Sequence, residues 1–478
     1  MTHLLAVAGA EWRYWMRSRL ALAGALLLAG LLLATTVLTA LRMQGEAAER
    51  AHHQAEAEAA FLSQPARHPH RMVHYGHYVF RTPAPLAQID PGLDPVTGQS
   101  IFLEGHRQNT AMFAAAGASA DLGAFSGLSP AVVYQLLAPL LVILLGHGLI
   151  TREREAATLA TLLAQGTPGW VLLAGKALAL LSIVLLLLVP LAISATLAVG
   201  AGEQAPAAWA LFGVYLLYLV IWSALVLLAS TLLKRRSTVL ASLATLWVAL
   251  TLVLPALAAS WASSAAPTAG KIETDLAMWS DLRQLGDGHN AGDPAFAQLR
   301  ADLLARYGVQ RVEDLPVNLR GVVAQVSEQR LTETLNRYAR AQMAAQTRQA
   351  AVLAGLGWFT PRLAVAEASR AVAGTDLAHH HRFLQEAEVL RYAFVQGLNK
   401  VHAEKLAYID DIRRSSDALA QQRTRVDATT WRLLERFRFE PDASGTRIAR
   451  AGSQWLMLGV WCVLLIVAGS WAGARLQP

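Results

Sequence analysis

Long runs of apolar residues alternate along this chain with stretches rich in charged and polar side chains. Six of the runs are almost free of charge, and each reaches about 20 residues, the length a helix needs to cross a bilayer core. A helix satisfies its backbone amides internally, so helical spans are the default in lipid. The predicted spans cover residues 20–41, 130–150, 168–199, 207–233, 238–259 and 453–474. The pattern predicts an all-α membrane protein with six transmembrane helices.

Prolines punctuate several of these spans. Ser129 precedes Pro130 and Thr167 precedes Pro168, a hydroxyl cap followed by a proline that suits the first turn of a helix. Prolines also occur within spans, where they are expected to kink the helix. These internal prolines are Pro139, Pro190 and Pro255.

Lysine and arginine concentrate in the short segments next to the spans. These residues are Arg13, Arg17, Arg19, Arg152, Arg154, Lys234, Arg235, Arg236 and Arg475. With six crossings they all fall on one side, and the positive-inside rule makes that side cytoplasmic. The predicted location is a bacterial inner membrane, with both termini in the cytoplasm. Topology thus accounts for many of the cations behind the net charge of +7, and no nucleic-acid partner is expected.

Two long polar insertions, residues 42–129 and 263–452, fall on the opposite, periplasmic side. The first is predicted to be a small mixed domain. In it, the helix of the first span continues to Ser63, and a short strand runs from His74 to Phe80. The second is predicted to be mainly helical, with two long antiparallel helices that continue from spans five and six as a stalk. The single cysteine, Cys462, lies in the last span, so no disulfide forms within the chain.

Residues 151–167 form a short polar segment between the second and third predicted spans. We expect Thr151 to cap an amphipathic helix here, with Glu153 and Glu155 near the positive end of its dipole. Such a helix either rests among lipid headgroups, which the residues alone favour, or couples to a cytoplasmic motor protein. The residues expected to dock on such a motor are Arg152, Glu153, Arg154, Glu155, Thr158, Leu159, Leu162 and Leu163.

The run from Glu153 to Gly166 resembles the loop between the second and third spans of ABC-2-type transporter permeases. It is similar to that loop in the permeases for nitrous-oxide-reductase maturation and gliding motility. Two further stretches, from Tyr78 to Asn109 and from Ala373 to Asn399, resemble a subgroup of these permeases with large outer domains. Ala157 stands where the family usually has glycine, a change expected to be harmless inside a helix.

The resemblance implies six spans per permease, two permeases per complex, identical or paralogous, and a pair of cytoplasmic ATPases that bind ATP and Mg²⁺. It also implies that residues 1–19 form the family's N-terminal amphipathic elbow helix. The chain lacks a nucleotide-binding P-loop of its own, because the best candidate, Gly169 to Lys176, is one residue too long and lacks the following hydroxyl residue. ATP hydrolysis is therefore expected in a separate polypeptide, and this chain is not expected to be an enzyme or to bind a cofactor.

Two further sets of residues could bear on function. Imidazole suits copper and zinc, and four histidines lie close together in the first insertion. We favour surface and packing roles for them and expect no metal, because neither cysteine nor carboxylate belongs to the cluster. They are His68, His70, His74 and His77. No acidic residue lies at mid-membrane, which argues against an ion-coupled carrier. The polar side chains that remain as candidates for a translocation path are Tyr134, Gln135, Ser182 and Ser223.

The leading interpretation is the permease subunit of an ABC transporter. Hydrolysis by a separate ATPase would be coupled either to export or to mechanical work on a periplasmic or outer-membrane partner. The alternative is a non-transporting membrane scaffold or maturation factor that acts through its periplasmic helices. The sequence lacks the zinc-protease and serine-hydrolase motifs, so an enzyme is the weakest interpretation.

Overall fold

The computed structural model describes residues 2–112, 128–432 and 437–476. Parts of both predicted insertions, residues 113–127 and 433–436, lie outside this range. Within the described residues, six helices are long and apolar enough to cross a membrane, so the chain is a multi-pass, mainly helical membrane protein. In chain order, spans 1 to 6 are Arg19–Leu62, Pro130–Glu155, Gly169–Leu187, Ala205–Leu232, Arg236–Ala265 and Gly452–Ala474.

Span 4 lies at the centre of the bundle. Its side chains Leu211, Val214, Tyr215, Tyr218 and Leu219 are fully buried, and it packs against spans 2, 3 and 6. Span 1 is peripheral: 22% of its apolar window is buried, compared with 72% for span 2. Its exposed leucines therefore suit contact with lipid.

The helix of span 1 continues beyond its apolar part without a break. All 44 residues of Arg19–Leu62 are helical, as the alanine- and glutamate-rich composition predicted. At about 1.5 Å per residue the helix is roughly 66 Å long, about twice the thickness of a bilayer core. Its far end is anchored because Phe61 packs against Phe394.

The basic segments of the sequence meet at one end of the bundle, called the basic end here. An N-terminal helix, Thr2–Arg17, packs along span 3 at this end and is called the elbow helix. Glu155 pairs there with Arg236, and Leu476 packs near Leu159. The structure thus brings together the segments that the sequence placed on one side.

Both insertions lie at the opposite end and pack together into one body, called the head. Its α-helices are Pro69–Val73, Asp94–Thr97, Lys271–Arg283, Ala297–Tyr307, Leu319–Gly355, Pro361–Ala373, Leu377–Lys405, Tyr408–Arg413, Ala418–Arg423, Ala428–Trp431 and Ser444–Arg450. Short 3₁₀ turns occupy Pro85–Gln88, Pro294–Phe296, Val312–Asp314 and Leu356–Trp358. Two strands, β1 (His77–Phe80) and β2 (Ser100–Leu103), pair antiparallel, with His77 opposite Leu103.

The hydrophobic clusters of the head draw on both insertions. Met72 and Val73 from the first insertion pack with Val395, Leu398 and Trp431 from the second. Likewise, Val79 and Ile101 of the two strands pack with Phe383 and Phe439. The two insertions were predicted as separate domains, but their shared hydrophobic clusters make them parts of one structure.

The predicted stalk differs from the observed one. The two longest head helices, Leu319–Gly355 and Leu377–Lys405, do pack against each other. They are not continuations of spans 5 and 6, because the chain leaves helical geometry at Ala266 and Ala451 interrupts the helix before span 6. Instead the helix Pro361–Ala373 seats in the end of the bundle, where it packs on spans 4 and 6.

The predicted strand from His74 to Phe80 is also shorter than expected. Only His77–Phe80 pairs as a strand, while His74 caps the short helix Pro69–Val73. Gly76 separates the two with φ of +73°. A left-handed residue interrupts an extended chain, and glycine adopts that conformation at little cost.

Candidate functional site at the basic end of the bundle

The segment predicted as one amphipathic helix is two short helices. Thr151–Glu155 and Thr158–Ala164 are separated at Ala157, whose φ of +57° is left-handed. The expectation that alanine is harmless here was wrong, because the position is not helical and an L-residue in this conformation costs about 1–2 kcal/mol. Nor is Thr151 a cap: its hydroxyl donates to the carbonyl of His147 in the preceding turn.

A cluster of four charges, two of them buried, ties the first short helix to the rest of the bundle. Arg152 Nη2 lies 2.7 and 2.8 Å from the two carboxylate oxygens of Glu11 in the elbow helix. Lys176 of span 3 donates to the same carboxylate at 2.6 Å and lies 3.4 Å from Glu153. Glu11 and Lys176 are almost fully buried, with 2% and 1% exposure. Arg152 also stacks over Tyr14, 3.8 Å from the ring centroid.

Sequence reasoning missed Glu11 and Lys176 as members of this site. Each carried a signal, because Glu11 is the only acid in the elbow helix and Lys176 is the only charge in span 3. An ionisable group within an apolar span needs a partner, and these two residues are each other's partner.

The second half of the first helix is held by spans 4 and 5. Arg154 donates to the carbonyls of Leu233 and Thr231 at 2.9 and 3.3 Å. Glu155 accepts from the backbone and the guanidinium of Arg236 at 2.8 and 2.7 Å. The charged residues predicted to dock on a motor are therefore engaged within this chain.

The leucines of the second short helix also face inward. Leu159 is buried, and Leu162 and Leu163 pack around it against Ile150 and Leu172. Thr158 is exposed and donates to the Glu153 carboxylate at 2.6 Å. The side chains that remain free to meet another molecule are small or polar ones on the outer face, namely Ala160, Thr161, Ala164 and Gln165.

The polar side chains proposed for a translocation path mostly join helices. Tyr134 donates to the carbonyl of Leu187 at 2.8 Å, and Gln135 donates to Tyr215 at 3.2 Å. Ser182 accepts from Trp12 of the elbow helix at 2.8 Å. Ser223 lines an apolar groove of about 610 Å³ between spans 3, 4 and 6.

Two further hydrogen bonds satisfy carbonyls near prolines. The carbonyl of Gln135, four residues before Pro139, accepts from Tyr218 at 2.7 Å. The carbonyl of Leu250, in a π-helical turn five residues before Pro255, accepts from Thr360 at 2.5 Å. Proline lacks an N–H, so a carbonyl in the preceding turn loses its helical donor, and a hydroxyl from another element takes its place.

A buried polar chain continues from span 4 into the head. The Tyr215 hydroxyl lies 2.9 Å from Ser369, and Ser369 donates to the Asp90 carboxylate at 2.5 Å. Thr375 donates to the backbone carbonyl of Asp90 at 3.0 Å. Burial raises the pKa of Asp90, although the hydrogen bond from Ser369 opposes the shift. Head and bundle are therefore joined by directional bonds as well as by apolar packing.

A buried ion pair makes a second connection between head and bundle. Arg447, in the helix before span 6, pairs with Glu203, which lies in the loop between the helix Val189–Gly200 and span 4. It also donates to the carbonyl of Val372 at 3.0 Å. Both charged side chains are almost fully buried.

The four candidate histidines separate into three environments. His70 and His74 meet His106 and His289, with one ligand atom from each within 4.8 Å of the others. Burial lowers the pKa of His74, and the neighbouring rings of His106 and His289 lower it further.

The other two candidates lie elsewhere. His68 lies beside His402, and both rings contact the buried carboxylate of Asp411 at 3.2 and 2.8 Å. His77 packs against Phe61, 5.2 Å between ring centroids.

The fold and the site together describe a multi-pass α-helical membrane protein with a helical head and a braced polar segment at the opposite end. Residues 274–440, which form most of the head, match a family described as a domain of unknown function, DUF3526. No curated protein matches the chain.

Proposed function

We propose that this protein is the permease subunit of an ABC transporter and that a separate ATPase docks on its basic end. In this proposal the basic end faces the cytoplasm and the head faces the periplasm of a bacterial inner membrane. The clustering of lysine and arginine supports the orientation, and the resemblance of residues 153–166 to the ABC-2 permease loop supports the class. ATP and Mg²⁺ bind to the partner ATPase, and two permease copies or paralogues form the complex.

The observation that carries the proposal is the bracing of the segment 151–166. Its first helix contacts the elbow helix and span 3 through the cluster of Glu11, Arg152, Glu153 and Lys176. Its far side contacts span 5 through Glu155. A lipid-resting helix needs only an apolar side and a polar side. A coupling element needs rigid attachment to the helices that it moves, and this segment has it.

The docking surface in this proposal is the outer face of the second short helix. Ala160, Thr161 and Ala164 are exposed there, while the leucines face the bundle. Small side chains let a partner's surface approach the helix backbone closely. The prediction that Arg152 and Glu153 dock directly is thus refined: these residues transmit displacement rather than supply the contact surface.

Displacement at the basic end would reach the head through span 4. Tyr215 and Tyr218 of this span bond to span 2 and to the Ser369–Asp90 pair. Three of the four candidate path residues are engaged in bonds between elements or to buried carbonyls. This use of the polar groups favours mechanical work by the head on a periplasmic or outer-membrane partner over passage of a polar cargo through a single chain.

The test is co-purification with an ABC ATPase encoded beside the gene. The wild-type chain should retain this ATPase in detergent, and Ala160→Glu combined with Thr161→Glu should release it. The matched control is Ala301→Glu combined with Ala305→Glu, which places the same two charges at exposed helical alanines of the head. Loss of the ATPase in the docking variant alone supports the proposal. Failure of the wild-type chain to retain it, or retention by the docking variant, overturns the proposal.

A further inference from the structure

Four histidines from three separate segments of the head converge on one point. His70 and His74 lie one turn apart at the helix Pro69–Val73, His106 lies in the turn after β2, and His289 comes from the loop before Ala297–Tyr307. Each offers one ring nitrogen, and all four nitrogens lie within 4.8 Å of one another. Residues that are far apart in sequence thus form a compact set of nitrogen donors.

The distances suit a metal ion. Nε2 of His70 lies 3.2 Å from Nε2 of His74. Two imidazoles bound tetrahedrally to zinc, with Zn–N distances of about 2.0–2.1 Å, would have their nitrogens about 3.3 Å apart. The rings of His106 and His289 complete the set. Their centroids lie 5.0 Å and 5.8 Å, respectively, from the centroid of the His74 ring.

The two remaining rings each lie beside a carboxylate. His106 Nδ1 lies 2.8 Å from Glu328, whose side chain is fully buried, and His106 Nε2 is buried without a hydrogen-bond partner among the described residues. His289 Nδ1 lies 3.2 Å from Asp287. A carboxylate beside Nδ1 favours the neutral tautomer whose free lone pair is on Nε2, the arrangement found around metal-bound histidines.

The Glu328 carboxylate beside His106 is held in place by other charged side chains. Glu328 accepts from Arg391 at 2.6 Å, and Arg391 is held by both carboxylate oxygens of Glu388 at 2.7 and 2.8 Å. This network lies inside the head and holds Glu328 in place. Surface histidines with packing roles alone do not need such a network.

The neighbouring histidines and Met72 do not belong to this site. Met72 is fully buried in the apolar cluster around Trp431. The group of His68, His402 and Asp411 is already neutralised, because Arg414 lies 3.3 Å and Arg320 3.7 Å from Asp411.

We propose that His70, His74, His106 and His289 bind one divalent transition-metal ion of the zinc class. The donor set is all imidazole, which suits zinc, copper and nickel rather than magnesium or calcium. His74 and His289 are exposed, so the ion enters from solvent. The bound ion joins the helix Pro69–Val73 of the first insertion to the loop of the second, and thereby holds the distal part of the head in place. The site does not depend on the proposed transport function.

The test uses full-length protein purified through a tag without histidine, stripped with a chelator and titrated with ZnCl₂ by calorimetry. One zinc per chain is expected. His74→Ala and His289→Ala, which change exposed residues, should each weaken binding at least tenfold. Glu328→Gln should weaken it about 10–100-fold, the usual effect of losing a partner of a metal-bound histidine. Titration with Co²⁺ should give the visible absorption of a tetrahedral site in the wild-type protein but not in His74→Ala or His289→Ala.

The matched control is the double change His52→Ala with His53→Ala, two exposed histidines on the extension of span 1. This variant should bind zinc like the wild type. The proposal is overturned if the wild-type protein binds no stoichiometric zinc, or if monodisperse His74→Ala and His289→Ala proteins bind it unchanged. It is also overturned if the control loses as much affinity as the site variants.

Discussion

Removing Glu11 should destabilise the protein far more than its position near the N-terminus suggests. Glu11 receives three short hydrogen bonds, two from Arg152 and one from Lys176. Lys176 is 1% exposed. In Glu11→Gln the only negative charge left beside Lys176 among the described residues is that of Glu153, at 3.4 Å. A buried ammonium would then lack its main counter-charge.

The magnitude follows from the burial of the pair. Breaking a buried ion pair by removing one partner costs about 3–5 kcal/mol, because the other charge remains without compensation. The carboxylate of Glu153 relieves some of this cost, so we expect about 3 kcal/mol for Glu11→Gln. Lys176→Met should cost a similar amount. The double variant removes both charges, and its cost should fall below the sum of the single costs by about 1.5–3 kcal/mol.

The assay is denaturant unfolding in mixed micelles, followed by tryptophan fluorescence, with the free energy of unfolding taken from the midpoint and slope. Lys271→Met is the control. It breaks the exposed pair of Lys271 and Asp275, and it should change the free energy by no more than about 0.5 kcal/mol. The reasoning is refuted if Glu11→Gln behaves like the control, or if the two single costs simply add in the double variant.

Three further predictions concern stability under the same assay. Ala157→Gly should stabilise the protein by roughly 0.5–1 kcal/mol, because relief of the left-handed strain exceeds the added entropy of the unfolded chain. The control Ala160→Gly, at a helical position, should destabilise the protein by about 1 kcal/mol. Equal changes in the free energy of unfolding for the two variants would contradict this prediction. Tyr218→Phe should cost about 1 kcal/mol, since a buried carbonyl loses its donor, whereas Tyr307→Phe at an exposed site should change little. Burial raises the pKa of Asp90 above its usual 3.8, so stability should fall as pH rises from that value towards the raised pKa; Asp90→Asn should remove this part of the pH profile, and an unchanged profile would count against it.

The spans could be predicted from sequence because the bilayer imposes a simple length and polarity rule on them. The second insertion was predicted to be mainly helical, and local signals mark individual helices within it. Helix Pro361–Ala373 begins after Thr360 and ends at the left-handed Gly374, and helix Leu377–Lys405 begins at the side-chain cap Asp376. Local signals of this kind act over a few residues and are visible in the sequence.

Contacts between segments that are distant in the chain were harder to predict from the sequence. The sequence did not indicate that both insertions share hydrophobic clusters, because packing partners such as Val79 and Phe383 are about 300 residues apart. It also did not reveal the break at Ala157. Alanine is a strong helix former, and its left-handed backbone is set by contacts on both sides of the segment rather than by its own preference.

At the candidate sites, too, local patterns were recognised from the sequence and partners distant in the chain were not. Residues 151–166 were recognised from their pattern, whereas their partners Glu11 and Lys176 were not. The histidines His70 and His74 were noticed, but the set that makes a donor cluster needs His106 and His289, which are distant in the chain. Spacing alone could not separate the metal hypothesis from a packing role, and the convergence of four rings now favours the metal.

The central claim is that a separate ATPase contacts the exposed face of the segment 151–166. Its most direct test is photo-crosslinking in cells, with a photoreactive amino acid placed at residue 160 or, as control, at residue 301; both positions are exposed alanines. We predict a crosslinked product at residue 160 that contains a polypeptide with a nucleotide-binding P-loop, and none at residue 301. No ATPase crosslink at residue 160, or an equal one at residue 301, would contradict the account.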